Sequence, residues 1–240
     1  MTEVRLFSTC LAEEFFPAVP EAVVRILEGL RLSVRPIRRA FCCGQAAFNE
    51  GLREQAIDLA RRFVESCEPG TPIVIPSGSC ASMVRVFYAD LLRDEPALAE
   101  RAAALRPWIY EFSQFLVGVL KVKYLGARYE RAVAYHPSCH LLRELRATNE
   151  PLDLLSAVSG IRLVALPRAE ECCGFGGSFS VKFPHISAAI LEDKCMQIEQ
   201  SGADTVTAAD CGCLMQIGGG LHRRKSRVET LHLAEILARR

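Results

Sequence analysis

The sequence lacks the features that would place it in a membrane or on nucleic acid. Charged residues interrupt its apolar stretches well before the roughly 20 residues that a spanning helix needs. Its 29 Lys and Arg are balanced by 28 Asp and Glu, so no basic excess points to nucleic acid. The opening residues, Met1 to Phe7, lack the basic start and apolar run of a signal peptide. These absences predict a cytoplasmic protein with no transmembrane segment and no nucleic-acid partner.

A glycine-rich nucleotide fingerprint is also missing after the first predicted strand, so the sequence gives no support for NAD or FAD binding. What the chain has instead is cysteine, which occurs 11 times among 240 residues. An odd number excludes complete pairing into disulfides. In a reducing compartment, so many cysteines indicate metal binding or redox chemistry.

The cysteines form a pattern that occurs twice. Cys42-Cys43-Gly44 recurs as Cys172-Cys173-Gly174, and a single cysteine precedes each pair by 32 or 33 positions. Another cysteine follows each pair by 37 or 40 positions. Chance rarely keeps an adjacent pair and both of its flanks in register, so we infer an internal duplication. The matched sets are Cys10, Cys42, Cys43 and Cys80, and Cys139, Cys172, Cys173 and Cys213.

Short apolar strands alternate with helical stretches in both halves. Strands are predicted over 4–8, 32–36, 72–76, 132–135, 163–166 and 205–208, and helices over 20–31, 46–65, 151–159 and 185–201. This alternation is typical of parallel β-α-β units. We therefore expect an α/β fold with two duplicated Rossmann-like domains, residues 1–125 and 126–240. Each should contain a small, mostly parallel sheet flanked by helices, and a pseudo-two-fold axis should relate the two closely packed halves.

Every matched cysteine follows a predicted strand. The carboxyl ends of parallel strands lie at one edge of a sheet, so the four thiols of each half should converge there. Four thiolates can hold a four-iron cluster or a tetrahedral zinc ion. Structural zinc sites favour a spacer of two to four residues between paired cysteines, so the adjacent pairs favour two [4Fe-4S] clusters. A protein stapled by two structural zinc ions is the alternative.

The remaining cysteines and the histidines near the motifs carry weaker signals. Cys67 and Cys195 lie on or beside the long helices and are predicted to pack in the core. Cys211 competes with Cys213 as the last ligand of the second set, and the motif favours Cys213. His136 and His140 flank Cys139, where a hydrogen-bonding or capping role is favoured over iron ligation. Four aromatic residues before the link between the halves are interpreted as helix packing: Trp108, Tyr110, Phe112 and Phe115.

The repeated Cys, Cys-Cys-Gly, Cys pattern resembles the cysteine-rich CCG domains. These occur in the cysteine-rich component of heterodisulfide reductase, in the iron–sulfur subunits of glycolate and glycerol-3-phosphate oxidation systems, and in the lactate utilization protein A family. The last resemblance is the strongest and spans nearly the whole chain, through residues 76–83, 136–140, 172–177 and 212–215. It implies an iron–sulfur electron-transfer subunit, part of an oxidoreductase complex that oxidises L-lactate to pyruvate with companion iron–sulfur and lactate-utilization subunits.

One departure bears on the alternative chemistry. In the cysteine-rich component of heterodisulfide reductase each motif ends in Cys-x-x-Cys, and the extra sulfur helps to hold a split cluster. In this chain Met83 and Gln216 stand at the positions of that extra cysteine. The resemblance therefore favours ordinary four-iron clusters over the heterodisulfide or thiol–disulfide reductase alternative.

Overall fold

Two four-stranded parallel sheets form the frame of the molecule. The computed structural model describes residues 1–38 and 42–240, and every strand and helix named below belongs to those residues. The strands of the first half are β1 (Glu3–Leu6), β2 (Ser33–Pro36), β3 (Ile73–Ile75) and β4 (Ile109–Glu111), and those of the second are β5 (Ala132–Tyr135), β6 (Arg162–Val164), β7 (Thr205–Ala208) and β8 (Glu229–His232). Their orders, β2-β1-β3-β4 and β6-β5-β7-β8, are the same in both halves. The expected duplicated α/β fold is confirmed.

Helices flank both sheets. In the first half they are α1 (Cys10–Phe15), α2 (Ala18–Gly29), α3 (Gln45–Asn49), α4 (Arg53–Glu65), α5 (Gly78–Ser82), α6 (Tyr88–Leu91), α7 (Pro96–Leu105) and α8 (Phe112–Gln114), with π-helical turns at Met83–Phe87 and Phe115–Val119 and a 3₁₀ turn at Arg106–Trp108. In the second half they are α9 (Cys139–Arg143), α10 (Glu150–Ser156), α11 (Phe179–Lys182), α12 (Pro184–Gln200), α13 (Cys211–Arg223) and α14 (Leu233–Leu237). Across 1–38 and 42–240, none of these helices combines the length and the apolar character needed to span a bilayer.

The hydrophobic pattern explains why these elements form. All residues of β3 and β5 are buried, as expected for central strands of a parallel sheet that helices cover on both faces. Helix α2 buries Val19, Val23 and Ile26, which recur every three or four residues and form one apolar face. The sheet edge that receives the cysteines is therefore fixed by the burial of the central strands.

Two details of the sequence prediction were wrong. The fourth strand of each sheet was missed, and Tyr110, which was interpreted as helix packing, lies in β4 and pairs with Val74 of β3. That strand is only three residues long and ends in Glu111, so it gives little periodic signal. The helix predicted over 46–65 is broken into α3 and α4 because Gly51 adopts a left-handed conformation with φ of +74°.

Contacts between the halves are exchanged in reciprocal pairs. The last helix of each half packs on the other half, α14 against α2 and α8 against α10. The helices at the cysteine motifs do the same, α5 against α9 and α13 against α1. One apolar core contains residues of both halves, among them Leu27 and Leu237. Reciprocal contacts of this kind are what a pseudo-two-fold axis between the halves produces. They hold the two cysteine sets in a fixed position relative to each other.

Glycine at position 174 is required by both its backbone conformation and its surroundings. Its φ is +85°, and a Cβ there would lie 2.6 Å from the carbonyl oxygen of Ser187 in α12. Gly202 has a similar φ of +68° but open space around it. We predict that Gly174→Ala lowers the free energy of unfolding by about 3 kcal/mol and Gly202→Ala by about 1 kcal/mol, because only the first adds a clash to the strain. Urea denaturation measures both, and equal losses would contradict this explanation.

Candidate metal centre

Both sets of matched cysteines line one cavity of about 280 Å³ between the halves. The cysteines that line it are Cys10, Cys42, Cys43, Cys80, Cys139, Cys172, Cys173, Cys211 and Cys213. It lies beyond the carboxyl ends of the strands, where parallel sheets bind ligands. The two halves therefore contribute to one common space, which the separate sets in the sequence did not indicate.

In the first set, each thiol contacts a neighbour from another strand end. Cys10 begins α1, after a loop of three residues that follows β1, and its thiol contacts that of Cys42, which follows β2. The adjacent Cys43 is buried, and its sulfur lies 3.2 Å from the sulfur of Cys80 in the first turn of α5. Three loops on neighbouring strands thus bring four sulfurs into contact.

The second set repeats this arrangement. The thiol of Cys139 contacts that of Cys172, and the thiol of Cys173 contacts that of Cys213. Cys173 is buried, whereas Cys172 is exposed to solvent. The second set therefore has a cysteine residue at the molecular surface.

The backbone at the cysteines is alike in both halves. Thr9 and Ser138, which precede the first cysteine of each set, both have positive φ values, of 73° and 48°. Gly44 and Gly174 have φ values of 84° and 85°. The backbone N–H of Gly44 lies 3.4 Å from the Cys42 sulfur, and that of Gly174 lies 3.3 Å from the Cys172 sulfur. Each half thus directs one backbone donor at the equivalent sulfur.

The crowded thiols perturb one another's ionisation. Hydrogen bonds from Cys10 and Cys43 hold the pKa of Cys42 well below its ordinary value, and the pKa of Cys172 is lowered in the same way by Cys139 and Cys173. The partners that donate these hydrogen bonds have raised pKa values for the same reason, Cys10 and Cys139 among them. In the second set the pKa of Cys213 is lowered as well, to about 6, chiefly by a hydrogen bond from Cys173. Ionising all four requires cationic charge at the centre, because like charges in contact repel.

Unpartnered polar atoms beside the second set also indicate a bound group. His136 is 1% exposed, and neither ring nitrogen has a hydrogen-bond partner among the described residues. One ring nitrogen lies within 4.8 Å of the sulfurs of both Cys173 and Cys213. The hydroxyl of Ser138, which lines the cavity, is buried and unpartnered within the same described ranges. Leaving such groups without a partner is unfavourable by about 1–3 kcal/mol each, so the residues present fit a metal centre that they would surround.

Asp210 joins the two halves at the cavity. One carboxylate oxygen accepts hydrogen bonds from the Ser77 hydroxyl at 3.1 Å and the Ser79 backbone N–H at 2.9 Å. The other accepts from the Gly212 backbone N–H at 3.0 Å and caps α13. This role of Asp210 was not predicted from the sequence. Its position one before the α13 helix, where Asp is a preferred N-cap, was the available signal.

The contacts between the halves distinguish the role of Cys211 from that of Cys213. Cys211 occupies the position of Gly78 in the first half, and the two face matched neighbours on the other half. Gly78 lies against Leu141, where a Cβ would come within 2.7 Å of the leucine Cβ, whereas Cys211 packs against Ala12. At each of these two contacts a small residue packs against a larger one: Gly78 against Leu141, and Ala12 against Cys211. Cys211 fills the space that Ala12 leaves, while Cys213 lies beside Cys173 and His136.

Of the other residues singled out in the sequence, two cysteines lie in the apolar cores and one histidine lies at the cavity. Cys67 and Cys195 are buried in the apolar cores of their halves. His140 lines the cavity, with one ring nitrogen 3.3 Å from the side-chain nitrogen of Gln45 in the other half and the second 3.3 Å from a Glu144 carboxylate oxygen. The sequence motif flagged His140 but gave no indication of Gln45, because that contact exists only between the halves.

Comparison with known proteins agrees with this repeated geometry. A family profile described as Cysteine-rich domain, or CCG, matches residues 4–85 and again 133–218. Lactate utilization protein A of Shouchella clausii (strain KSM-K16) is 44% identical over 234 residues, which cover 98% of each chain. The protein of that name from Bacillus subtilis (strain 168) is 41% identical over 235 residues, with 98% of each chain covered. The chain belongs to the lactate utilization protein A family. The resemblance drawn from the cysteine motifs is thereby confirmed.

A solved structure shares the fold. The crystal structure of a hypothetical protein from Helicobacter pylori superposes with a TM-score of 0.61 at 12% sequence identity. The match covers 98% of this chain and 48% of that one, so the present chain spans about half the length of its structural neighbour. At this identity the likeness concerns the fold alone.

The Asp210 hydrogen bonds give a stability prediction. We expect Asp210→Ala to lower the free energy of unfolding by about 3 kcal/mol, because it leaves buried donors of both halves without their charged acceptor. Asp193→Ala, on the exposed face of α12, is the control and should change it by less than about 0.5 kcal/mol. Denaturant titration of both variants in the same metal state tests this. Equal, small effects would show that the carboxylate does not link the halves.

Proposed function

We propose that the chain is the iron–sulfur electron-transfer subunit of a system that oxidises L-lactate to pyruvate. In this proposal residues 1–125 and 126–240 each form a domain that holds one [4Fe-4S] cluster. The ligands are Cys10, Cys42, Cys43 and Cys80 in the first domain and Cys139, Cys172, Cys173 and Cys213 in the second. The observation that carries the proposal is that two equivalent sets of four sulfurs open into one cavity.

The chain's own groups are suited to hold such clusters. Four thiolates per set supply the number of ligands that a four-iron cluster takes. The N–H groups of Gly44 and Gly174 point at one sulfur in each set and stabilise its negative charge. Cys213 lies in the first turn of the long helix α13, where the helix dipole favours a thiolate. Bound there, the clusters supply reversible one-electron chemistry.

The size of the cavity favours electron transfer over catalysis at this site. Pockets that bind organic ligands usually measure about 300 to 1,000 Å³. The present cavity of about 280 Å³ is already below that range, and two clusters would share it. Little space is left for an organic substrate beside them. This supports a relay, in which lactate is oxidised on another component and the electrons pass through this chain.

The molecular surface near the second set supports an interaction with companion subunits. Cys172 is exposed, and three large apolar side chains, Val181, Phe183 and Ile186, are exposed shortly after the glycines that line the cavity. Exposed apolar groups of this size are typical of protein contact sites. The substrate and the multi-component system are inferred from the name that the relatives carry, Lactate utilization protein A.

Replacing one cysteine in each set tests the cluster assignment. We expect Cys43→Ser or Cys173→Ser to remove about half of the iron and sulfide from protein prepared without oxygen, because serine ligates iron poorly at neutral pH. Cys67→Ser and Cys195→Ser are the controls. They should keep the full iron content and lower the free energy of unfolding by only about 1–2 kcal/mol. A colourless protein with about two zinc ions would favour the structural zinc alternative.

The assignment of the last ligand is tested separately. We expect Cys213→Ala to remove the second cluster, because its sulfur contacts Cys173. Cys211→Ala should leave both clusters in place, because that side chain packs against Ala12. Iron analysis and the visible spectrum of both variants decide between them, and the opposite result would make Cys211 the ligand.

The role in lactate oxidation is tested with the companion subunits present. Electron flow from lactate to an artificial acceptor should fall sharply in Cys43→Ser and in Cys173→Ser, because each interrupts the relay. Cys195→Ser, which keeps every proposed ligand, should retain the flow of the unaltered protein. Full flow in a variant that lacks both clusters would overturn the proposed function.

A further inference from the structure

The two cysteine sets share their ligands and backbone geometry but differ in the residues behind them. The first difference is at the residue that directly follows β1 in the first half and β5 in the second. The backbone N–H of Phe7 donates to Val74 at 3.0 Å, and that of His136 donates to Thr207 at 2.8 Å, so these two residues occupy equivalent positions. In the first half that position holds a phenyl ring, and in the second it holds an imidazole.

The second difference lies in the helix that follows each Cys-Cys-Gly motif. A Cβ on Gly44 would meet Ala56 and Leu59 of α4, and one on Gly174 would meet Ser187 and Ile190 of α12. These contacts align the two helices, and the same alignment places Lys194 at the position of Phe63. Both residues are buried.

In the first half the two positions form an apolar pair. The rings of Phe7 and Phe63 pack edge to face with their centroids 5.0 Å apart. Phe63 also packs against the ring of Tyr88, whose hydroxyl donates to the Cys43 backbone carbonyl at 3.1 Å. The side chains at these two positions can therefore donate no hydrogen bond to the sulfurs of the first set.

In the second half the same positions are polar. One ring nitrogen of His136 lies within 4.8 Å of the sulfurs of Cys173 and Cys213, so an N–H on that nitrogen is close enough to interact with the site. The amine of Lys194, which is 1% exposed, lies within hydrogen-bonding distance of Arg168 O, Ala169 O and the Gln197 side-chain oxygen. Three acceptors around one amine suit an ammonium group. Burial lowers the pKa of Lys194, whereas the nearby charges of Glu171 and Cys173 raise it, so this cation lies close to the second set.

The acidic groups nearby do not cancel this charge. The Glu171 carboxylate is about half exposed, with a side-chain exposure of 47%, and it forms an ion pair with Arg168 at 3.3 Å. Its other oxygen accepts from the Gln197 side chain at 2.7 Å, and Gln197 accepts from Lys194, so Glu171 offsets the ammonium charge in part while solvent and Arg168 screen it. Asp210 contacts the third-strand loops of both sets through Ser79 and Gly212, so it affects both.

We propose that His136 and Lys194 make the second cysteine set the more readily reduced of the two, so that electrons pass from the first set to the second. Reduction adds negative charge, which a donated N–H and a buried cation stabilise and which an apolar pair of rings does not. The inference rests on the proposed function. It also places the electron exit at the set that has an exposed cysteine, Cys172.

Redox titration of the full chain, reconstituted with iron and sulfide and followed by electron paramagnetic resonance, tests this. The single-set variants Cys43→Ser and Cys173→Ser assign each signal. We expect His136→Phe, which copies the first half, and Lys194→Met each to disfavour reduction of the second set about tenfold, or about 59 mV for one electron, with the first set unchanged. Lys225→Met removes an equal charge from an exposed position and should shift neither set.

The outcomes separate this inference from the proposed function. Equal potentials, a first set that is reduced more readily, or no shift in His136→Phe and Lys194→Met would overturn the inference while the clusters remain. Loss of iron in His136→Phe but not in His136→Gln would also overturn it, because the polar group would then be needed to build the site. An unaltered protein that takes up no iron and sulfide would overturn the proposed function itself. If Lys194→Met does not fold, His136→Phe alone decides.

Discussion

The carboxylate of Asp210 holds together the two loops on which the site depends. It accepts N–H groups from Ser79 and Gly212, which directly precede Cys80 and Cys213 in the chain. Since these loops carry the last cysteine of each set, their distance fixes how the two sets face one another. A carboxylate can satisfy donors from both halves at once because it has two oxygens. The rest of the interface, α14 on α2 and α8 on α10, adds apolar burial around this polar link.

Duplication explains why the sheets and the backbone around the cysteines are alike in both halves. Sequence divergence after the duplication explains why the residues behind the two cysteine sets differ. The parallel sheets, the positive φ values before Cys10 and Cys139, and the glycines after each adjacent pair are the same in both halves. These features position ligands, so a change in either copy would disturb a set of sulfurs. Residues behind the ligands are free to differ, as Phe63 and Lys194 do, because they alter the surroundings of the site without moving the backbone.

The residues that pack across the pseudo-two-fold axis also combine equivalent backbone positions with different side chains. Gly78 faces Leu141 and Cys211 faces Ala12, so the total volume at each crossing is similar although the residues are exchanged. Close-packed interiors require such compensation. A thiol adjacent to a cysteine motif is thus explained by the space it fills, and its presence in the sequence need not indicate a ligand.

The sequence by itself determined the duplication, the α/β class and the matched cysteines, because these depend on spacing and on short-range hydrophobic patterns. It did not reveal the fourth strands, since β4 and β8 are short and carry polar residues that give no clear alternation. The shared cavity, the Asp210 link and the contact between Gln45 and His140 were decided only by the tertiary structure. Each joins residues more than ninety positions apart, and no local pattern specifies how two halves of a chain pack. The same holds for His136, whose place beside Cys173 and Cys213 follows from the sheet order that brings β5 next to β7.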